Sequence, residues 1–158
     1  MNIVVSVSDV KVSQDVEDVL VTYSLGSCIA VAMYDPVARC GGLLHYQLPT
    51  STLDAWRAQA NPCMFADTGM AALLKDLGSL GAQPRRMQVK LAGGAEILND
   101  SGLFSIGKRN HTAIRKILWQ KGLLLSAEDV GGSQPRTVYL HVSDGRTIIK
   151  SRGLTANL

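Results

Sequence analysis

Residues 19–48 read VLVTYSLGSCIAVAMYDPVARCGGLLHYQL, three apolar runs separated by turn-forming residues. The first run, 19–23, is rich in β-branched and aromatic residues, which favour strands. The second run, 28–34, is apolar throughout, which is typical of a strand covered on both faces. A short turn over 35–42, with one Pro and two Gly, leads into the third run, 43–48. The stretch therefore predicts three successive strands, of which the last two can pair as a hairpin.

Two main helices are predicted downstream of these strands. The first helix carries five apolar residues on one face: Met70, Leu73, Leu74, Leu77 and Leu80. Asp67 is a suitable N-cap for it, and Gly81 is a suitable end. The second helix is predicted over 110–121 and ends at Gly122. Residues 50–63 are predicted to form a loop or a short helix.

Further strands complete the pattern. They are predicted at 3–7, 87–91, 123–130, 137–142 and 146–150. The Asp144-Gly145 pair between the last two is a hairpin signal. No internal repeat or linker is visible, so a single domain is predicted over 1–158. The predicted fold class is α+β, a mixed α/β layered sandwich in which two main helices pack on a largely antiparallel sheet.

The composition indicates a folded cytoplasmic protein. Apolar residues make up 46% of the chain and charged residues 18%, which allows a substantial core. No apolar run reaches the ~18–20 residues of a membrane span, so no membrane insertion is expected, and no secretory signal is visible. The three cysteines, Cys28, Cys40 and Cys63, are odd in number and lack CxxC spacing. This pattern favours a reduced cytosolic protein over a disulfide scaffold.

The charge distribution argues against a nucleic-acid partner. The formal net charge is only +3, although residues 1–54 carry two basic against six acidic residues and the remainder carries 14 against seven. The basic part has few aromatic residues to stack on bases, and no predicted helix carries a dense Lys/Arg stripe. We interpret it as a solvated basic face that an acidic protein partner could use for steering.

Cys28 is the first candidate for chemistry. Gly26 and Ser27 form a tight turn just before the predicted strand, so the sulfur could be exposed where backbone N–H groups of the turn point at the same spot. Acyl transfer requires such a site for its oxyanion. The alternative is that Cys28 is a small buried hydrophobic residue, as most unpaired cysteines are.

His45 and Thr22 are candidates for a catalytic arrangement with Cys28. His45 lies in the strand that would pair with the one after Cys28, so the two side chains could come within hydrogen-bonding distance. A thiol has a pKa of about 8.5, and a neighbouring imidazolium would stabilise its thiolate. The Thr22 hydroxyl could accept the other imidazole N–H and fix the tautomer. The alternatives are a histidine satisfied within the core and an ordinary strand threonine.

Short motifs along almost the whole chain resemble one family. In sequence order they are Thr22-x-Ser-Leu-Gly-Ser-Cys28, Tyr34-Asp35-Pro36, Gly41-Gly42, His45, Leu48-Pro49, Ala66-Asp67-Thr68, Gly93-Gly94-Ala95, Ile106-Gly107-x-Arg109-Asn110, Ala127-Glu128-Asp129-Val130-Gly131-Gly132 and Arg136-Thr137-Val138. Each motif is weak alone, but the ordered set is specific. The sequence resembles the CheD family of bacterial chemoreceptor glutamine deamidases.

The resemblance implies a catalytic triad of Cys28, His45 and Thr22. It also implies a fold similar to a bacterial deamidating toxin domain. The implied substrate is a glutamine side chain on the cytoplasmic helical bundle of a methyl-accepting chemotaxis protein, and the implied product is glutamate with release of ammonia. No metal or cofactor is needed for this chemistry. A CheC-type phosphatase is the second implied partner.

Two other hypotheses remain open on the sequence. One is a binding module of the same fold that contacts chemoreceptors and regulates a CheC-type phosphatase without turnover. The other is a redox or metal protein, which would need a second sulfur close to Cys28. Cys40 and His45 are separated by four residues without a third ligand nearby in the sequence, so a zinc site is not expected.

Overall fold

The structure is a computed structural model, and it describes residues 1–96 and 105–158. These residues form ten strands and three α-helices. The strands are β1 Asn2–Val4, β2 Asp9–Ser13, β3 Val19–Leu25, β4 Ile29–Asp35, β5 Cys40–Tyr46, β6 Gln88–Gly93, β7 Leu125–Val130, β8 Arg136–His141, β9 Thr147–Ser151 and β10 Leu154–Asn157. The α-helices are α1 Ala55–Ala60, α2 Ala66–Ser79 and α3 Ile106–Gln120, with short 3₁₀ turns at Ser51–Leu53, Pro62–Met64 and Pro84–Arg86.

The strands form two five-stranded sheets. The first sheet has the order β1-β3-β8-β9-β10, and the second has the order β2-β5-β4-β6-β7. Neighbouring strands are antiparallel except for the parallel pairs β1/β3 and β6/β7. The predicted fold class, a layered and largely antiparallel α+β structure with two main helices, is confirmed. Its strands are divided between two sheets rather than joined in one.

Strands β4 and β5 form the predicted hairpin and lie at the centre of the molecule. Every residue of both strands is buried, because one face lies under α2 and α3 while the other faces the first sheet. Ile29, Val31 and Leu44 pack toward the helices, whereas Ala30 and Leu43 pack against the first sheet. The continuous apolar run at 28–34 reflects this burial on both faces.

The carboxyl end of α2 agrees with the prediction, and its amino end does not. Gly81 has a φ of +90°, and the N–H of Ala82 donates to the carbonyl of Leu77, which closes the helix as a Schellman-type end. The prediction of Asp67 as the N-cap is wrong. The helix begins at Ala66, and the Asp67 carboxylate instead accepts hydrogen bonds from the backbone N–H and hydroxyl of Ser51.

Helix α3 begins four residues earlier than predicted. It starts at Ile106 and therefore includes Lys108 and Arg109, so all four charged residues of the helix are basic. Three of these, Lys108, Arg109 and Lys116, share one side of the helix, whereas Arg115 pairs with Glu128. No helix within the described ranges has the length and apolar character needed to span a membrane.

Two strands were not predicted from the sequence. β2 pairs with β5, and β10 pairs with β9, each at the edge of its sheet. All four residues of β10 are exposed. β2 carries a strand signal, since Val10 and Val12 alternate with polar residues, whereas no residue of β10 is buried.

Candidate active site

Cys28 lies in the bend that joins β3 to β4. The carbonyl oxygens of Gly26 and Cys28 accept hydrogen bonds from the backbone N–H groups of Ala95 and Gly94, at 2.9 and 2.8 Å. The carbonyl of Ser27 is also held, by a side chain of α3. Cys28 itself is partly exposed, while β4 behind it is fully buried. The turn predicted at Gly26 and Ser27 is therefore present, and its peptide planes are fixed from two other segments of the chain.

Asn110 of α3 is the side chain that holds Ser27. It is fully buried, and its Nδ2 donates to the carbonyl oxygens of Ser27 and Gln47, at 2.9 and 2.7 Å. Both partners are acceptors only, so the amide orientation is fixed, and Oδ1 has no hydrogen-bond partner among residues 1–96 and 105–158. The hydroxyl of Tyr46 donates to the backbone carbonyl of Asn110 at 2.5 Å. Asn110 thus connects the Cys28 bend, the end of β5 and α3.

His45 lies on the face of β5 that is turned toward the first sheet. It is 2% exposed, and its backbone pairs with Ala30 of β4 on one side and Asp9 of β2 on the other. Thr22 of β3 approaches from the facing sheet, and its Oγ1 lies 2.8 Å from Nδ1 of His45. Two residues from different sheets are thereby brought together, as the sequence predicted for Thr22 and His45.

The hydrogen bonds of Thr22 determine the tautomer of His45. Thr22 Oγ1 donates its single proton to the carbonyl oxygen of Val5, at 2.7 Å. The hydroxyl can therefore only accept from the ring, so Nδ1 of His45 carries the proton and donates it to Thr22. In the neutral ring the proton is then absent from Nε2, which is buried and has no hydrogen-bond partner in the described chain. The ring thus presents a lone pair at Nε2.

Cys28 and His45 lie on the same face of the second sheet. His45 is opposite Ala30 in the β4–β5 register, and Cys28 precedes Ala30 by two residues. Cys28 itself belongs to the bend before β4, so the strand register alone does not set the direction of its side chain. Its packing sets that direction, since both Ala30 and Cys28 contact the cluster between the sheets.

Burial controls the protonation of His45. Removal of the ring from water lowers the pKa of His45 to about 4, and the nearby Asp9 carboxylate opposes this only in part. The imidazole is therefore neutral near pH 7. The Asp9 carboxylate is itself paired with the Lys11 ammonium, 2.9 Å away.

Strand β3 contains a β-bulge directly after Thr22. The register shifts between Thr22 and Leu25, and Ser24 has a φ of +56°. As a result Thr22 and Leu25 are both fully buried, while the intervening Tyr23 is 49% exposed. Tyr23 therefore lies at the surface one residue from Thr22.

The other cysteines and acidic residues do not join this cluster. Cys40 and Cys63 are buried, and burial raises the pKa of each thiol. Glu128 bonds His111 of α3 while the adjacent Asp129 bonds Arg136, so the two carboxylates face apart. Within residues 1–96 and 105–158, no group of three or more His, Cys, Asp and Glu side chains could hold a metal ion.

Comparison with known proteins identifies the class first. Residues 47–151 match the family model described as CheD chemotactic sensory transduction, which places the chain among the proteins of chemotactic sensory transduction. Among solved structures, the hypothetical protein YfiH of Bacillus licheniformis superposes with a TM-score of 0.46 and 16% identity, covering 79% of this chain and 50% of that one.

Curated relatives extend the match to nearly the whole chain. A probable chemoreceptor glutamine deamidase CheD 1 of Syntrophus aciditrophicus is 51% identical and covers 96% of this chain and 95% of its own. The corresponding protein of Solibacter usitatus is 48% identical over 96% of this chain and 89% of its own, and CheD 2 of Anaeromyxobacter dehalogenans is 43% identical over 99% and 98%. The chain belongs to the CheD family.

Proposed function

We propose that this protein is a chemoreceptor glutamine deamidase in which Cys28 is the nucleophile, His45 moves the proton and Thr22 positions His45. The family membership and the names of the relatives support the reaction. The observation that supports the assignment of residues is the hydrogen bond between Thr22 and His45 Nδ1, since it leaves the Nε2 lone pair on the face that Cys28 shares.

The first step is attack of Cys28 Sγ on the carboxamide carbon of a receptor glutamine. Because the pKa of His45 is lowered to about 4, the resting ring is neutral and Nε2 accepts the thiol proton as the S–C bond forms. This replaces the imidazolium–thiolate pair that the sequence suggested. Burial disfavours the charged imidazolium before the substrate binds. The negative charge that develops on the carboxamide oxygen during the attack then stabilises the imidazolium.

Proton transfers through His45 Nε2 complete the reaction. The protonated His45 gives its Nε2 proton to the amide nitrogen, the C–N bond breaks, and ammonia leaves a thioester on Cys28. Water then attacks the thioester carbon while His45 Nε2 takes a proton from it. The S–C bond breaks as His45 passes that proton to Sγ, which restores the thiol and yields glutamate. A glutamyl methyl ester could react in the same way, with methanol as the leaving group.

The bend before β4 is suited to hold the oxyanion. In a trans peptide the N–H points opposite to the preceding carbonyl. The carbonyls of Gly26 and Ser27 are bonded to Ala95 and Asn110, so the N–H groups of Ser27 and Cys28 are directed away from those partners. We assign these N–H groups to the oxyanion, with Gly26 and Ser27 as the turn that orients them.

The partners and the location follow from this reaction. The substrate is the helical cytoplasmic part of a methyl-accepting chemotaxis receptor, which places the enzyme in the cytoplasm. A CheC-type phosphatase is a second partner by analogy with the family. The alternative, a regulatory module that contacts receptors and the phosphatase without catalysis, shares these partners and differs only in turnover.

Ammonia release from receptor fragments tests the proposal directly. The unmutated protein should release ammonia and create new glutamates that mass spectrometry can locate, and Cys28→Ala should abolish both. A Cys40→Ala variant serves as the matched control, because Cys40 is buried elsewhere in the molecule. Binding of the fragment by the unmutated protein without ammonia release would favour the regulatory module.

A further inference from the structure

A groove beside α3 lies outside the residues assigned to the reaction. It encloses about 630 Å³ between one face of α3 and a wall that includes Pro49, Thr50 and Asp67. Seven residues of α3 line it, Lys108 together with six residues at the helix positions i, i+3, i+4, i+7, i+8 and i+11: Arg109, Thr112, Ala113, Lys116, Ile117 and Gln120. These residues form a stripe about 16 Å long, since a helix rises about 1.5 Å per residue. Three turns of a second helix would match this length.

The groove is apolar along its centre and cationic along its length. Ala113 and Ile117 supply the apolar surface, and Lys108, Arg109 and Lys116 supply the charges. None of these three cations forms an ion pair with a residue of the described ranges, in contrast to Arg115 on another face, which pairs with Glu128. The one acidic residue of the lining, Asp67, has its carboxylate bonded to Ser51. With three cations and one carboxylate, the groove lining carries an excess of positive charge.

Two of these cations lie at the end of α3 where the helix dipole disfavours positive charge. Basic side chains in the first turn of a helix face the positive end of its dipole, and Lys108 and Arg109 both lie there. Glu96 compensates in part, because its carboxylate accepts the backbone N–H of Lys108. A local cost of this kind is expected where a surface is shaped for a partner rather than for stability.

The groove adjoins the segments that hold the Cys28 bend. Arg109 precedes Asn110, which bonds the carbonyls of Ser27 and Gln47. Two residues after Gln47 the chain reaches Pro49 in the opposite wall. A ligand in the groove would thus lie against the segments that hold the Cys28 bend.

We propose that this groove binds an acidic amphipathic helix of the substrate receptor while a glutamine of the receptor bundle occupies the site at Cys28. This inference rests on the proposed function, because that reaction defines a helical substrate. Each deamidation converts a neutral side chain into a carboxylate, so the receptor itself acquires the charge that Lys108, Arg109 and Lys116 complement. An apolar stripe flanked by charge is the usual way in which a groove recognises a helix.

Charge reversal separates binding from chemistry. We compare Arg109→Glu and Lys116→Glu with Lys75→Glu, which makes the same change of charge on an exposed position of α2. With receptor fragments as substrate, each groove variant should raise KM about tenfold and leave kcat within about twofold, whereas Lys75→Glu should change neither. The rate at which iodoacetamide alkylates Cys28 should be equal in all four proteins, because this small reagent does not need the groove.

Salt provides a second measurement that needs no variant. The KM of the unmutated protein should rise steeply with sodium chloride, and the rise should be weaker in Lys116→Glu. Equal KM values for the groove variants and Lys75→Glu would overturn the inference. If the unmutated protein releases no ammonia, the proposed function is rejected, but the groove can still be tested. Direct binding of the same fragments then tests the groove, and equal affinities for Lys116→Glu and Lys75→Glu would overturn it independently.

Discussion

At the scale of single residues, a neutral threonine takes the place that a carboxylate occupies in many hydrolases. The Thr22 hydroxyl is committed to the carbonyl of Val5, so it can only accept from His45. Thr22 is fully buried, and it therefore fixes the ring without placing a full charge inside the protein. This positioning is compatible with the low pKa of His45, because no carboxylate bonds the ring to stabilise its charged form.

Replacement of Thr22 tests this positioning. Thr22→Val keeps the shape but removes the acceptor for His45 Nδ1–H, so we expect kcat on receptor fragments to fall about 10²-fold, within the usual range for acid–base catalysis. Thr22→Ser retains the hydroxyl and should recover most of the activity. A Thr22→Val enzyme with kcat within about twofold of the unmutated value would show that the hydroxyl does not orient the ring.

Asn110 is predicted to act through the Cys28 bend. Asn110→Asp keeps the size but replaces two donated hydrogen bonds with an acceptor facing the carbonyls of Ser27 and Gln47, so we expect a loss of about 2 kcal/mol or more in stability. In protein that urea titration shows to be folded, kcat should still fall more than about tenfold because the Cys28 N–H is no longer oriented. The control is Asn157→Asp at the exposed end of β10. Normal kcat in folded Asn110→Asp would contradict a positioning role.

At the scale of elements, the site depends on how closely α3 approaches the end of β6. A Cβ at Gly107 would lie 2.4 Å from the carbonyl oxygen of Ala95 and 2.6 Å from that of Gly94. The backbone N–H groups of the same two residues hold the carbonyls of Gly26 and Cys28. The glycine therefore permits a contact between helix and strand that reaches the candidate nucleophile.

Alanine substitutions at two helical glycines should have opposite effects. Gly107→Ala must displace backbone atoms, so we expect it to destabilise the protein by about 2–4 kcal/mol. Gly78→Ala in α2 has no atom within 4 Å of the new methyl group, and it should stabilise the protein by about 0.5–1 kcal/mol. Urea denaturation measures both changes. Similar stabilities for the two variants would show that α3 does not approach β6 as closely as described.

At the scale of the whole molecule, the buried ionisable groups control the response of stability to acid. Burial alone would raise the pKa of Asp35, but the Arg86 guanidinium and the backbone N–H groups of Gln83, Ala38 and Val37 together hold it well below its usual range. Asp35 therefore favours the folded state until the pH falls below about 4. His45 titrates in a different window, above that value.

The pH dependence of unfolding should report the state of His45. Its pKa falls from 6.5 in the unfolded chain to about 4 in the folded one, so between these values the unfolded chain binds more protons and stability decreases as the pH falls. From pH 7 to pH 4 the unmutated protein should lose about 3 kcal/mol more than His45→Gln. Burial also lowers the pKa of the partly exposed His141, so His141→Gln is the comparison variant, in which the acid dependence should weaken less than in His45→Gln. If the unmutated protein instead gained stability relative to His45→Gln as the pH falls, that result would indicate an imidazolium–thiolate pair.

The apolar runs, helix periodicity and turn residues determined the secondary structure of the centre of the chain. They predicted the β4–β5 hairpin, α2 and the ends of both long helices, because buried strands and amphipathic helices leave regular patterns. The fully exposed edge strand β10 and the first turn of α3 are not identified by such a pattern. The candidate residues Cys28, His45 and Thr22 were likewise named from the sequence, through their motif.

The tertiary structure alone decided how these residues meet. The contact of Thr22 with His45 joins two sheets, and the bonds of Asn110 join α3 to segments 63 and 83 residues away in the chain. The basic groove requires α3 to lie beside Pro49 and Asp67. Local patterns record whether a residue is buried, but distances between segments remote in sequence depend on how the layers pack, and no local pattern encodes that.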